Sequence, residues 1–166
     1  MKHLLEFFTV LMLTLILTTS CNDNNDDNKK SNIVTFKATL NGANERPNPV
    51  TTSATGSATV TYNKVTKTFT VTGTYTGMTA TASHIHGPAT TENAAGVKFG
   101  LTASEGTISY SGSDVLTSTE ETELNNGLYY INVHSSTYPA GEIRGQLIAT
   151  TTPGGNGSGD GGGSGY

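Results

Sequence analysis

Tyr129-Tyr130-Ile131-Asn132-Val133-His134, then Tyr138-Pro139-Ala140-Gly141, then Glu142-Ile143-Arg144-Gly145-Gln146-Leu147: this stretch reads as two strands joined by a Pro/Gly turn. Tyr129, Ile131 and Val133 alternate with Tyr130, Asn132 and His134, and Ile143 and Leu147 alternate with Glu142, Arg144 and Gln146. Successive side chains of a strand point to opposite faces, so each set has a face to itself. One face is apolar and belongs in a core. The other gathers an amide, an imidazole, a carboxylate and a guanidinium in a chain with only 13% charged residues.

The same period of two recurs upstream. Val34, Phe36, Ala38 and Leu40 alternate with Thr35, Lys37 and Thr39, up to a stop at Asn41-Gly42. Two prolines in Ala43-Asn44-Glu45-Arg46-Pro47-Asn48-Pro49 exclude regular pairing there. Ala58, Val60 and Tyr62, then Phe69, Val71 and Tyr75, form a hairpin about the turn at Asn63-Lys64, with threonines on its outer face. His84-Ile85-His86 reads as a short strand with Ile85 inward and both histidines outward. Val97, Phe99 and Leu101 form another inward set, and Ile108 and Tyr110 a further strand. Residues 117–126 break the pattern. Their acidic residues, with Ser118 or Thr119 as N-cap and Gly127 as stop, predict one or two turns of helix.

About seven or eight short antiparallel strands with one helical insertion predict an all-β domain over residues 33–150, folded as a two-layer immunoglobulin-like sandwich. The flanks have other roles. Met1-Lys2-His3, an apolar run from Leu4 to Leu17 and Thr18-Thr19-Ser20-Cys21 make residues 1–20 a signal peptide. The sole cysteine, Cys21, falls at the cleavage point, which resembles the lipobox of bacterial lipoproteins, although Thr18 stands where that motif ordinarily has leucine. Lipidation of Cys21 would tether the domain to a membrane without spanning it. Residues 21–32 read as an acidic flexible tether, and residues 151–166, rich in glycine, as a disordered tail. The acidic cluster after Cys21 also resembles the surface-export signal of some Gram-negative lipoproteins, implying an outer-membrane or cell-surface address. Lys2 and Glu6 of the leader cancel, so its removal leaves the net charge at −4. No basic stripe is present, and the electrostatic footprint of nucleic-acid binding is missing.

His84 and His86 sit about 7 Å apart on one strand face, within reach of one metal ion. His134, also on an outward face, is the third candidate ligand; imidazoles suit copper or zinc. Glu45 or Glu142 would complete the shell or orient a ring. The plainer alternative has the histidines tying loops to the sheet, and Arg144 bridging to Glu142, Glu45 or loop backbone. No Gly-x-Ser-x-Gly elbow and no second cysteine point to a nucleophile.

Leu40-Asn41-Gly42-Ala43-Asn44-Glu45-Arg46-Pro47, His84-Ile85-His86-Gly87-Pro88, Tyr130-Ile131-Asn132-Val133-His134 and Pro139-Ala140-Gly141-Glu142-Ile143-Arg144-Gly145-Gln146 together resemble the CHRD (chordin-type) domain. Arg46 departs from the apolar residue usual before that proline. The resemblance implies a Greek-key sandwich with a distant likeness to Cu/Zn superoxide dismutase, and a non-enzymatic role. That role would be to bind a protein or glycan at the cell envelope, or to organise structure there. His84-Ile85-His86 looks like the dismutase's paired copper ligands, and Arg144 like its late arginine. The remaining histidines and the disulfide are missing, so dismutase chemistry is not implied. The alternative expectation is a metalloprotein with His84, His86 and His134 as ligands. Asn132, Glu142 and Arg144 are expected to join the histidines in one hydrogen-bonded group.

Overall fold

A computed structural model describes residues 31–150. The leader, Cys21, most of the tether and the glycine-rich tail lie outside these residues. Nine strands follow in chain order: β1 (Ile33–Asn41), β2 (Thr55–Asn63), β3 (Thr68–Thr76), β4 (Ala80–His86), β5 (Val97–Ser104), β6 (Thr107–Ser109), β7 (Tyr130–Ser135), β8 (Ile143–Gln146) and β9 (Ile148–Ala149). One helix, α1 (Ser118–Asn125), separates β6 from β7, and a 3-10 turn (Gly42–Asn44) follows β1. No helix among the described residues is long and apolar enough to cross a membrane.

Every strand pairing is antiparallel. The order is β2-β3-β6-β5-β4-β7-β8-β1, and β1 pairs back onto β2, so eight strands close into a ring with β9 alongside β1. The antiparallel all-β class is as expected, whereas the expected two-layer sandwich is here a single closed, barrel-like sheet. The reason is β1. All nine of its residues pair with β2, while its other side meets β8 through Asn41–Arg144 and β9 through Phe36–Ala149 and Lys37–Ile148. No edge is left on β1, and a sheet without edges has its strand ends protected from other chains.

The alternation predicted from the sequence lines the barrel. Phe36, Leu40, Tyr62, Ile131, Val133, Ile143 and Leu147 are fully buried, joined by Val60, Ile108 and Tyr129. Burying each large apolar side chain contributes roughly 1.5–3 kcal/mol, so packing can hold this fold without a disulfide. Thr70, Thr72 and Thr74 of β3 lie exposed on the outer face, as the threonine ladder implies. Val97 differs. It was expected inward but is 56% exposed, because the register between β4 and β5 shifts at Ile85/His86. The extra residue of such a bulge moves the following side chain to the opposite face, and Val97 ends up opposite His86.

Helix α1 starts one residue earlier than predicted. Thr117 is its N-cap and forms a capping box with Glu120. The acidic residues hold the helix against the barrel: Glu120 bridges to Lys98 at 3.2 Å, Glu121 to Lys67 at 3.5 Å, and Glu123 accepts the Tyr129 hydroxyl at 2.7 Å.

Strand β7, with its neighbour β8, breaks the pattern of buried inside and exposed outside. All six residues of β7 are buried. The polar face quoted first is therefore not solvated. Residues 87–96 cross it on one side and residues 136–142 on the other. Ala95, Ala89, Thr90 and Pro139 in these loops each accept a hydrogen bond from a side chain of β4, β7 or β8.

Candidate metal centre

Strand β4 lies between β5 and β7, and its register places His84 opposite Asn132 and His86 opposite Tyr130. His134 pairs with Ala82, so it sits diagonally from His84 on the same outer face. Diagonal neighbours on adjacent strands are within reach of long side chains. The ring centroids are 5.5 Å apart for His84–His86, 5.0 Å for His84–His134 and 5.9 Å for His86–His134. One ligand nitrogen from each ring lies within 4.8 Å of the others. Three nitrogens on one zinc ion, with bonds of about 2.0–2.1 Å, stand about 3.3 Å apart, so the widest of these separations must shorten for all three to reach one ion.

Backbone carbonyls set the tautomers. His86 Nδ1 lies 3.0 Å from the Ala95 carbonyl oxygen, and His134 Nδ1 lies 3.1 Å from that of Pro139. A carbonyl oxygen can only accept, so each Nδ1 carries the proton and each Nε2 presents a bare lone pair. Among the described residues, His86 Nε2 is buried with no hydrogen-bond partner. His134 Nε2 lies 3.1 Å from His84 Nδ1, which must donate to it as the rings stand. When the His84 proton sits on Nε2 instead, all three ligand nitrogens are free.

Burial chiefly holds His86 below the ordinary histidine range, with His134, His84 and Arg144 adding to the effect and the Ala95 carbonyl opposing it. Burial also lowers His134, aided by His84 and opposed by the Pro139 carbonyl. Neutral imidazole is the form that ligates metal.

The supporting residues divide into separate groups rather than the single network expected. Glu142 accepts from the Thr52 hydroxyl at 2.7 Å. Glu45 accepts from the Asn132 amide at 3.3 Å. Neither carboxylate hydrogen-bonds a histidine; carbonyls of Ala95 and Pro139 orient the rings in their place. Arg144 makes no salt bridge to Glu45 or Glu142 among the described residues. Its Nη2 donates to the Thr90 carbonyl at 3.0 Å and to Gln146 Oε1 at 3.3 Å, which is the loop-backbone contact the sequence allowed. The guanidinium also lies 3.5 Å from the centre of the Tyr130 ring, and that ring stacks on His86 at 5.1 Å and 10°. Such a cation–π contact helps retain a charge away from water.

Gly141 shows why the covering turn comes so close. Its φ is +140°, and a Cβ there would meet the Asn132 amide at 2.5 Å and Glu45 Oε2 at 2.8 Å. Without a side chain the turn settles on the polar cluster and brings Pro139 to His134. Sequence reasoning did not single out Tyr130, Gln146, Ala95 or Pro139 as part of the centre. Tyr130 and Gln146 share the polar face of the quoted strands, and that position was their available signal. The two carbonyls have no side-chain signature at all.

Burial also acts on Glu45. It pushes the carboxyl from 4.5 to about 7, against the opposing pull of Arg144 and the Asn132 hydrogen bond.

The model of the CHRD domain family matches residues 36–147, more than half the chain and inclusive of all three histidines. No curated protein and no solved structure matches the chain.

Proposed function

The chain belongs to the CHRD domain family, and on that premise we propose that it is an exported, membrane-tethered binding domain built around a three-histidine site for copper or zinc. The observation that carries this reading is the convergence of His84, His86 and His134 within 4.8 Å, two of them held with Nε2 bare by backbone carbonyls. Carbonyl partners of this kind fix ring orientation and raise the basicity of metal-bound histidines. The role is binding rather than catalysis, and the partner at the envelope is a protein or glycan. The ring order supports the Greek-key reading of the fold. β4, β5 and β6 are sequential neighbours, and β7 returns to lie beside β4. Shared architecture does not transfer an activity.

Metal content tests the site. Protein purified without chelator, then incubated with equimolar copper or zinc and desalted, is expected to retain about one ion per chain. A His84→Ala/His86→Ala variant should retain none. Wild-type protein that keeps neither metal, with a variant that only melts lower, would establish the histidines as loop ties and overturn the metal reading.

The tether has a separate test. Metabolic labelling with a fatty acid should mark the wild-type protein and not Cys21→Ala, because the lipid would be carried on that thiol. An unlabelled wild-type protein, or equal label on the variant, would remove the lipid anchor.

A further inference from the structure

Arg144 is 2% exposed, forms no ion pair among the described residues, and has a buried Nη1 without a hydrogen-bond partner. A charge removed from water without a counter-charge in contact is costly, and the two acceptors of Nη2, a carbonyl and an amide oxygen, supply only dipoles. Arg144 lines a cavity of about 80 Å³ together with Asn44, Arg46, Thr91 and Gln146. No acidic residue lines it. Arg46 Nη1 is held by the carbonyls of Ala43 and Glu45 at 3.1 and 2.9 Å, and its one ionic partner, Glu92 at 3.5 Å, has a side chain 75% exposed. Gln146 spends its amide hydrogens on the Ala89 and Gly127 carbonyls, leaving Oε1 to position Arg144. Two guanidinium groups thus share one small polar cavity; burial chiefly works against the charge on Arg144 and Arg46 adds to it, while Tyr130, and Glu45 and Glu92 from a distance, act in its favour.

We propose that Arg144, Arg46 and Thr91 frame a binding site for a single oxyanion, the phosphate or carboxylate group of a small ligand. Guanidinium groups recognise such groups through charge-assisted, paired hydrogen bonds. Thr91 adds a hydroxyl, whose present contact is a long 3.4 Å one to Glu92. Gln146 is a positioning residue. The inference does not rest on the metal site: Tyr130 lies against both Arg144 and His86, but the cavity is lined by neither the tyrosine nor any histidine.

The test is calorimetric titration of metal-free full chain, at low ionic strength, with inorganic phosphate, sulfate and acetate. Saturable one-to-one binding of at least one of them is expected. Arg46→Gln should weaken it about tenfold or more, the loss of one charged hydrogen-bond donor. Arg144 itself is too deeply buried for a clean variant, so Glu92→Gln serves as the second probe. It removes the competing carboxylate from an exposed position and should tighten binding. Preference for phosphate or for acetate identifies which oxyanion the site takes. A His84→Ala variant, which leaves His86 on Tyr130 and on the Ala95 carbonyl, should bind the anion as wild type does, which separates this site from the metal reading. Absence of saturable binding by all three anions, or affinity unmoved by both Arg46→Gln and Glu92→Gln, would overturn the proposal.

Discussion

Glu45→Gln is expected to stabilise the metal-free domain by about 3 kcal/mol near pH 8 and to leave it unchanged near pH 4. The native carboxyl has its pKa raised from 4.5 to about 7, mainly by burial. The folded state therefore binds a proton more tightly than the unfolded state does. The sign follows directly. Below the unfolded value both states are protonated and Glu45 costs nothing. As the pH rises from 4.5 through about 7, the unfolded chain ionises first and stability is lost, until both states are charged.

The cause is visible in the cluster. Glu45 Oε1 and Asn132 Oδ1 are both buried without partners. An ionised carboxylate only accepts, so its charge adds a third acceptor with too few donors. Glutamine keeps an oxygen for the Asn132 amide and has no charge to bury. Chemical denaturation of both proteins across this pH range gives the check. Subtracting the two curves cancels the histidines, and parallel curves for wild type and variant would disprove the assignment to Glu45.

Gly145→Ala should cost about 3 kcal/mol and lower the melting temperature by roughly 10 °C. Gly145 faces inward on β8, where the ring closes on β1. A Cβ there would stand 2.4 Å from the Thr39 carbonyl oxygen and 2.8 Å from Leu40 Cδ2. The oxygen is backbone and cannot swing aside, so the two strands must part. Besides the pairings of β1 with β8 and β9, the Asn44 side-chain amide donates to the Arg144 carbonyl at 3.0 Å and the Thr150 amide to that of Thr35 at 2.8 Å. Gly100→Ala on β5 is the control, since nothing lies within 4 Å of a Cβ there. Circular dichroism melts compare them, and equal melting temperatures would show that the seam tolerates the added methyl group.

The strands were legible because burial imposes a period of two. Phe36 and Leu40, or Ile131 and Val133, could be assigned to the core from their neighbours alone. Val97 was not legible, because a single bulge where β5 passes Ile85/His86 inverts its face and bulges leave no mark in the pattern. Helix α1 was found from its acidic first turn and glycine stop, with a one-residue error at the cap.

The candidate centre was half legible. His84, His86 and His134 could be named as outward residues on strands, and Arg144 as an arginine bound to loop backbone. Their environment could not be read. The polar face of β7 is buried only because two loops cross it, and the histidine rings are aimed by carbonyls of Ala95 and Pro139 rather than by Glu45 or Glu142.

The sequence by itself determined the class of fold, the core residues and the chemical types present on the outer face of β7 and β8. These follow from local alternation, which each strand obeys independently of its neighbours. Only the tertiary structure decided that β1 pairs on both sides and closes the ring. It also decided that His84 meets His134 across 50 residues of chain, and that Arg144 shares a cavity with Arg46. Strand order and loop placement are settled by long-range pairing, whose energy is collected only when segments far apart in the chain come together.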